Sequence, residues 1–217
     1  MRFLCISDIH GYAQALDAVL ATADVRGWDQ LVVCGDLCFP GPEPLAVWKT
    51  LVGHRAVCVQ GLGDKALARV DPNKLSATSE VERERIERLR QVHSELGEII
   101  IARLGKLPPL ASLPVESGDT MVVVHGSPGD PTEPFTFDME DEDMLALLGD
   151  EPGDLIVCGG SHVPFDRQLD SVRIVNVGSV GEAPGGDFAH ATIIETTPLG
   201  LSVNQFAVPL EEPDEAS

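Results

Sequence analysis

Short apolar runs that stop abruptly at Gly, Asp or His most constrain how this chain can fold. The first 64 residues contain three of them, separated by two stretches with helical spacing of apolar residues. The runs lead into Asp8-Ile-His10, Gly35-Asp36 and Gly61-Leu-Gly-Asp64. Continuous apolar runs are typical of parallel strands that are buried on both faces. The pattern therefore predicts a β-α-β-α-β unit whose strands all end at one edge of a sheet.

Later apolar runs predict more strands. Buried strands are expected at 121–124 and 155–158, where the chain continues into His125-Gly126 and Gly159-Gly-Ser-His162. Three further runs are separated by turn signals and are predicted to form antiparallel strands, at 173–177, 191–196 and 201–208. The sequence therefore predicts a sheet structure with a parallel core and antiparallel edges.

Between these two sets of strands lies a largely helical region. Residues 65–110 are interpreted as a helical insertion or cap, with a capping-box pattern at Ser79–Glu82 and an expected break at Gly97. We expect residues 1–210 to form one domain that includes this insertion. The last seven residues, 211–217, are predicted to be an acidic disordered tail.

Composition and cysteine usage indicate a soluble protein of the cytoplasm. The chain has 217 residues, of which 43% are hydrophobic and 23% charged, as in ordinary globular domains. We expect no secretion signal and no membrane span, because the N-terminus leads directly into a strand and no apolar run is long enough. The five cysteines are an odd number and lie mostly in apolar runs, which favours buried reduced thiols over a disulfide framework.

The net charge limits the partners. At −20 the chain repels nucleic acid polymers and anionic membranes. A small phosphorylated substrate would require a strong local positive centre, and a bound metal ion would supply one.

Candidate metal ligands stand where the predicted strands end: Asp8, His10, Asp36, Asp64, His125 and His162. Carboxylate oxygens and imidazole nitrogens that meet at one sheet edge can bind a divalent ion. Each residue alone could instead be a cap or a polar group with ordinary hydrogen bonds, and the convergence of several argues against that for Asp8, His10, Asp36 and His162. For His125 a purely structural role stays open, and for Asp64 stabilisation of a loop is favoured over catalysis.

These motifs resemble the calcineurin-like metallophosphoesterase superfamily over about residues 1–185. The family pattern is Asp-x-His, Gly-Asp, Gly-Asn-His-Asp, a His at a strand end and Gly-His-x-His. Bacterial members are especially similar, with Gly41-Pro-Glu-Pro44, His125-Gly-Ser-Pro-Gly-Asp-Pro131 and the late turn Gly178-Ser-Val-Gly181. The resemblance implies an α/β fold, a four-layer αββα sandwich of two mixed β-sheets flanked by helices, with the site along the strand-end edge.

The resemblance also implies a ligand set. Four residues would hold the first metal: Asp8, His10, Asp36 and His162. Asp36 would bridge to a second metal, which is completed in the family by an Asn, a strand-end His that corresponds to His125, and the first His of the last motif.

The chain departs from the family at this second site. The Asn position is Leu62, the following His position is Gly63, and the first His of the last motif is Gly160. Leucine and glycine side chains offer no ligand atom, so the second ion would bind weakly or borrow Asp64, solvent or substrate. The usual Gln-Pro-Arg after the late turn reads Glu182-Ala-Pro184, which removes an arginine that could contact phosphate.

Three functions are consistent with these residues. The first is a metal-dependent phosphoesterase with one firm metal site and an altered second one, in which Asp64 is the candidate catalytic residue beside the metal ligands. Its substrate would be a small phosphodiester or phosphomonoester, with a nucleotide as the default, and its metal Mn, Fe, Zn or Ni. The second is a metal- or nucleotide-binding regulator that has lost turnover. The third, less favoured, is an interaction module that uses residues 65–110 or the loop 127–137.

Overall fold

The structure, a computed structural model, describes residues 1–150 and 153–210. In chain order its strands are β1 (Arg2–Ile6), β2 (Gln30–Val33), β3 (Val57–Cys58), β4 (Leu110–Pro114), β5 (Thr120–Val124), β6 (Leu155–Cys158), β7 (Phe165–Gln168), β8 (Arg173–Asn176), β9 (Phe188–Thr197) and β10 (Gly200–Pro209). Its helices are α1 (Ala13–Arg26), α2 (Pro44–Gly53), α3 (Leu62–Arg69), α4 (Glu80–Leu104) and α5 (Asp141–Ala146), with a 3₁₀ turn at Pro72–Lys74. The tail predicted for 211–217 lies outside the described residues.

The strands form two mixed sheets of five strands each. The first has the order β10-β9-β1-β2-β3 and the second the order β4-β5-β6-β8-β7. In the first sheet β1, β2 and β3 are parallel, while β9 and β10 are antiparallel to their neighbours. In the second sheet β5, β6 and β8 are parallel, while β4 and β7 are antiparallel edge strands. The predicted parallel core and antiparallel edges are confirmed.

The core consists of three apolar layers, because successive side chains along a strand point to opposite faces of the sheet. Strand β1 is an example. Phe3 and Cys5 point into the core between the two sheets, where they meet Val123 and Val157 of the second sheet. Leu4 and Ile6 point the other way, into the layer beneath helices α1 to α4. A third layer packs the outer face of the second sheet against α5, with Phe135 and Met144 fully buried. The helix–sheet–sheet–helix sandwich implied by the resemblance is confirmed.

The helical region begins and ends where its capping residues place it. Helix α4 starts after Ser79, whose hydroxyl oxygen accepts the backbone N–H of Glu82 at 3.2 Å. The Glu82 carboxylate reaches back one residue further than in a capping box, to the N–H of Thr78 at 2.6 Å. Gly97 interrupts α4 with φ 70° and ψ 165°, at the break expected from the sequence. Within 65–110 the structure thus has most of α3, the 3₁₀ turn and α4, followed by the start of β4.

The Ser79 cap provides a measurable contribution to stability. Ser79→Ala is expected to lower the free energy of unfolding by about 1 kcal/mol, because the first turn of α4 loses the oxygen that accepts one of its N–H groups. Urea denaturation measures the change. Ser94→Ala, at an exposed position within the same helix, is the matched control and should be neutral or slightly stabilising. Equal losses for both variants would contradict the capping role.

Two predictions about the second sheet were wrong or incomplete. The run at 173–177 was expected to be antiparallel, but β8 pairs in parallel with β6 and is antiparallel only to β7. Strand β7 itself was not predicted, since Phe165-Asp-Arg-Gln168 carries little apolar signal. A parallel β8 ends at the same edge as β6, and this brings the turn after β8 to the candidate site.

All five cysteines are free, as the sequence favoured, and Cys5, Cys34 and Cys158 are buried as expected. Cys38 is buried as well, whereas Cys58, which also lies in an apolar run, is only partly buried. Helix α4 is the longest in the part of the chain that the structure describes, but its Glu and Arg residues keep its hydropathy low. Among the described residues no helix is both long and apolar enough to cross a membrane.

Candidate metal centre

The candidate ligands lie in loops that follow parallel strands of both sheets. Asp8 and His10 follow β1, and Asp36 follows β2, while His125 and His162 follow β5 and β6 of the other sheet. The loops after β1 and β2 run side by side, since the N–H of His10 donates to the Asp36 carbonyl at 2.9 Å. Ligand atoms from both sheets therefore converge at this edge, as the sequence predicted.

The first group of candidate ligand atoms comes from Asp8, His10 and His162, which lie within 4.8 Å of one another. His162 Nε2 is 3.2 Å and His10 Nε2 is 3.6 Å from Asp8 Oδ1. The two imidazole Nε2 atoms are 3.4 Å apart. Asp8 is fully buried, and His162 keeps part of its side chain accessible to solvent.

The second group consists of Asp8, Asp36 and His125. His125 Nε2 lies 3.5 Å from Asp36 Oδ2, and both side chains are nearly buried. The other oxygen of Asp36, Oδ1, accepts the N–H of Gly63 at 2.6 Å. That hydrogen bond and the contact with His125 turn Asp36 toward the second group. The residue common to both groups is therefore Asp8, whereas the resemblance implied that Asp36 would be shared.

Each of the three imidazoles is oriented by a backbone carbonyl. The Nδ1 atoms of His10, His125 and His162 contact the carbonyl oxygens of Phe39, Cys34 and Glu182 at 2.6, 2.8 and 2.9 Å. A carbonyl only accepts, so Nδ1 carries the proton and donates it. The Nε2 atom that faces the site is then free to bind a metal in each neutral ring.

The donor set fits a divalent ion. Asp8 Oδ2 accepts the N–H of Gly160 at 2.9 Å, but the buried Oδ1 has no hydrogen-bond partner among the described residues. A buried carboxylate oxygen without a partner is costly, and coordination to a cation would satisfy it. Metal bonds of about 2.1 Å put neighbouring ligand atoms roughly 3.0–3.5 Å apart, close to the separations found here. Buried charges of this kind are paired or coordinate metals.

Electrostatics at the first group favour a bound cation. Burial alone would raise the pKa of Asp8, but the imidazoles of His10 and His162 close to its carboxylate hold that pKa well below its usual range. Burial opposes the charged form of His10, yet Asp8, Asp36 and the Phe39 carbonyl raise its pKa to about 9. A field that favours a proton on imidazole also favours a divalent ion in its place, and metal binding would displace that proton.

Backbone strain is concentrated at the same residues. Among the described residues five besides glycine have a positive φ, and four of these are candidate ligands with φ between 53° and 61°: Asp8, His10, Asp36 and His162. Left-handed backbone costs a non-glycine residue of order 1 kcal/mol or more. Such strain is typical of sites where side chains must be aimed in a fixed direction.

Asp64 lies behind the ligands and belongs to neither group. It is fully buried, and its carboxylate accepts the N–H groups of Asp36, Leu37 and Gly61 at 3.0, 3.1 and 3.0 Å. Burial and the charge of Asp36 raise its pKa to about 7 against the effect of these hydrogen bonds. The contacts agree with the loop-stabilising role that the sequence favoured, and the catalytic role named for Asp64 stays a prediction.

Two of the positions that depart from the family, Gly63 and Gly160, lie beside the second group. A Cβ added at Gly160 would lie 3.6 Å from His125 Nε2, so a larger side chain would start next to that ring. Gly63 contacts Asp36 through its N–H, and Leu62 is 46% exposed at the start of α3. The site therefore lacks side-chain donors where the resemblance placed two further ligands.

Helix α4 supports the site through Arg88. The guanidinium Nε donates to the Pro40 carbonyl at 2.7 Å, and Nη2 donates to the Gly41 carbonyl. These bonds brace the loop whose Phe39 carbonyl orients His10. The helical region thus contributes to the geometry of the first group although it supplies no ligand.

Glu182 is the residue near the site that was not predicted as part of it. Its carboxylate oxygen Oε2 lies 3.6 Å from His10 Nε2. The sequence analysis treated Glu182 only as a departure from the family pattern. Because β8 was expected to be antiparallel, the strand pattern did not place the turn that carries Glu182 at this edge of the sheet.

Known proteins share this fold. The model of the calcineurin-like phosphoesterase superfamily domain matches residues 1–198. No curated protein sequence matches the chain. A hypothetical protein from Pyrococcus horikoshii OT3 has a TM-score of 0.81 at 19% identity, over 97% of this chain and 89% of its own.

Two further solved structures are similar. A metallophosphoesterase from Sphaerobacter thermophilus has a TM-score of 0.76 at 24% identity and covers 97% of this chain and 89% of its own. An archaeal phosphodiesterase has a TM-score of 0.54 at 15% identity and covers 96% of this chain and 100% of its own. At these identities the likeness shows the fold, and the family match carries the assignment. The chain belongs to the calcineurin-like phosphoesterase superfamily, whose members use divalent metal ions to hydrolyse phosphoester bonds.

Proposed function

We propose that the chain is a cytoplasmic metal-dependent phosphoesterase that hydrolyses a small phosphodiester or phosphomonoester. One observation carries this proposal: three imidazole rings turn a free Nε2 toward two buried carboxylates, while a backbone carbonyl fixes each Nδ1. Structural histidines have no need of such an arrangement. It is the arrangement that metal-binding histidines use.

The residues divide the work by their position. Asp8, His10 and His162 would hold a firmly bound ion, and Asp36 and His125 would share Asp8 to hold a second, weaker one. When bound, a divalent ion lowers the pKa of water and withdraws charge from phosphate oxygens. Asp64 would keep the Asp36 and Gly61 loops together, because its carboxylate accepts an N–H from each. Mn, Fe, Zn and Ni all accept this set of nitrogen and oxygen ligands.

The charge of the chain supports a small substrate. At −20 it would repel an extended polyanion, whereas a compact phosphate ester interacts mainly with the local positive charge of the bound ions. The archaeal phosphodiesterase that shares the fold makes a phosphodiester the first substrate class to test. A small nucleotide is the default within that class.

Asp36→Asn tests the proposal. Purified wild-type protein with added Mn²⁺ is expected to hydrolyse a chromogenic phosphodiester, and the variant should lose at least about 100-fold in rate. The substitution removes the carboxylate charge 3.5 Å from His125 Nε2 and leaves a side chain of the same size. The measurement is the release of the chromophore over a series of divalent metals.

Asp17→Asn, on an exposed face of α1, is the matched control and should hydrolyse the ester at the wild-type rate. If the wild-type protein is folded and binds metal but cleaves neither model diesters nor a panel of nucleotides, the proposal of an esterase is wrong.

A second function is favoured by the loss of donors at Leu62 and Gly160. A protein that binds one ion firmly and lacks the second can bind a phosphorylated ligand without cleaving it. Two ions are needed to stabilise both the attacking and the leaving oxygen. Such a regulator would bind one ion per chain together with a nucleotide, and it would release the nucleotide unchanged. Chromatography of the nucleotide after incubation separates this outcome from hydrolysis.

A further inference from the structure

We propose that a pocket between α3 and α4 binds the nucleobase of a small nucleotide ester, whose phosphate would then lie at the metal centre. This inference rests on the proposed function, since it concerns the substrate of that phosphoesterase. It goes further because it assigns a place to the part of the substrate that carries no charge.

The pocket lies between α3, the segment that follows the 3₁₀ turn, and α4. Its volume is about 390 Å³, within the range of about 300–1,000 Å³ that is usual for small-ligand sites. Apolar residues from all of these parts line it: Phe39, Ala66, Leu75, Ile86 and Leu89. Phe39 and Leu89 are buried, whereas Leu75 is 40% exposed. Such a lining suits a flat ring that is mostly apolar.

Phe39 connects the pocket with the metal centre. Its carbonyl oxygen contacts His10 Nδ1 at 2.6 Å, so the residue that lines the pocket also orients a ligand of the first group. Gly63 lies between Phe39 and Asp36. A Cβ added to Gly63 would be 3.2 Å from Asp36 Oδ1 and 3.6 Å from the Phe39 carbonyl oxygen. Phe39 is therefore close to one ligand of each group.

Helix α3 leads from the centre to the pocket. Glycine at position 63 keeps the region between Asp36 and Phe39 free of a side chain, where the resemblance placed a histidine. Ala66 lines the pocket and lies on the same face of α3 as Leu62, about 6 Å further along the helix axis. A ribose spans a gap of this order, so a phosphate at the centre and a base in the pocket can belong to one nucleotide.

Arg85 supplies a polar group that suits a nucleobase. It lines the pocket from α4, and no carboxylate of the described residues lies within 4.0 Å of its guanidinium. The one acidic residue of the lining is Glu82, whose Oε2 accepts the N–H and the hydroxyl of Thr78 at 2.6 and 2.7 Å. A guanidinium can stack on an aromatic ring and donate to its polar atoms. It also attracts an anionic ligand in a chain whose net charge is −20.

Binding of two phosphonates to the Mn²⁺-loaded protein tests this inference. One carries adenine at the end of an ethoxymethylphosphonate chain, and the other is ethoxymethylphosphonate without the ring. Their C–P bonds are not hydrolysed, so isothermal titration calorimetry measures binding alone. The wild type should bind the adenine compound at least about tenfold more tightly, the effect of stacking one base on protein side chains.

Two variants locate the base in the pocket. Leu75→Ser makes one wall polar at an exposed position and should reduce the preference for adenine at least about threefold. Ala66→Phe fills the pocket with a ring and should abolish the preference. Leu145→Ser, on α5, is the matched control and should keep it, because that leucine is 46% exposed and does not line the pocket. If Ala66→Phe does not fold, Leu75→Ser decides the test.

The outcomes separate this inference from the proposed function. Equal affinities of the two phosphonates in the wild type, or a preference that survives in Leu75→Ser, would overturn the nucleobase pocket. A gain for phenylphosphonate over methylphosphonate without a gain for adenine would also overturn it and indicate a simple aryl ester. Metal-dependent hydrolysis of a chromogenic diester would still stand in these cases. A wild type that prefers the adenine compound but cleaves no ester would overturn the esterase alone.

Discussion

Replacing Asp8 by Asn should abolish hydrolysis, with a fall in rate of at least about 1000-fold under saturating Mn²⁺. Asp8 is the residue that both ligand groups share, so one substitution removes a negative charge from each. Asparagine keeps an oxygen that can accept the N–H of Gly160, now 2.9 Å from Asp8 Oδ2, and the loops should keep their places. The rate with a chromogenic phosphodiester and the bound metal per chain measure the effect.

Comparison with single-group variants sharpens this test. His125→Ala affects the second group alone, so it should retain one bound ion per chain while Asp8→Asn retains none. Asp170→Asn, at an exposed turn after β7, serves as the control and should retain full activity and metal content. Normal metal content in Asp8→Asn would show that neither group forms around this residue.

Gly61→Ala should destabilise the metal-free protein by at least about 3 kcal/mol. The backbone of Gly61 is extended, with φ −92° and ψ −178°, and it would accept alanine without strain. The obstacle is space, since an added methyl group would overlap the backbone nitrogen of Asp36 and its carboxylate oxygen. A fixed backbone cannot yield as the end of a flexible side chain could. Urea denaturation in the presence of a chelator measures the loss without any contribution from metal.

Gly53→Ala provides the matched control. Gly53 ends α2, and nothing lies within 4 Å of a Cβ added there. Alanine has a higher helix propensity than glycine, so this variant should be neutral or more stable by up to about 1 kcal/mol. Similar destabilisation by the two substitutions would mean that the close approach of Gly61 to Asp36 is not what requires glycine.

Much of the architecture was predictable because buried parallel strands leave a strong pattern. The runs at 31–34 and Leu155–Cys158 are apolar throughout, so the existence and approximate limits of β2 and β6 follow from the sequence. Strands β4 and β7 lie at an edge of the second sheet and alternate between exposed and half-buried positions, which weakens that pattern. The direction of β8 depends on its partner β6, and local sequence does not encode pairing of that kind.

The sequence predicted which residues lie close together at the site. It did not predict how these residues are distributed between the two ligand groups. Strand-end positions brought Asp8, His10 and His162 together correctly. The division into two groups depends on where carboxylate oxygens point, and the Gly63 N–H that turns Asp36 is a backbone group without a sequence pattern. Glu182 was missed because it lies six residues beyond β8, and its contact with His10 depends on how the intervening turn packs against the loop after β1.

The origin of the ligands from two sheets has a consequence for the scaffold. An ion held by Asp8 and His162 acts as a cross-link between distant parts of the chain, much as a disulfide would. Closing so long a loop disfavours the unfolded ensemble, and binding adds to the stability of the native state in proportion to the logarithm of metal concentration. Selection for a durable fold would then retain these residues in a descendant that no longer turns over substrate. The ion would stabilise the fold in a catalyst and in a purely binding protein alike, so the metal ligands can be retained after catalytic activity is lost.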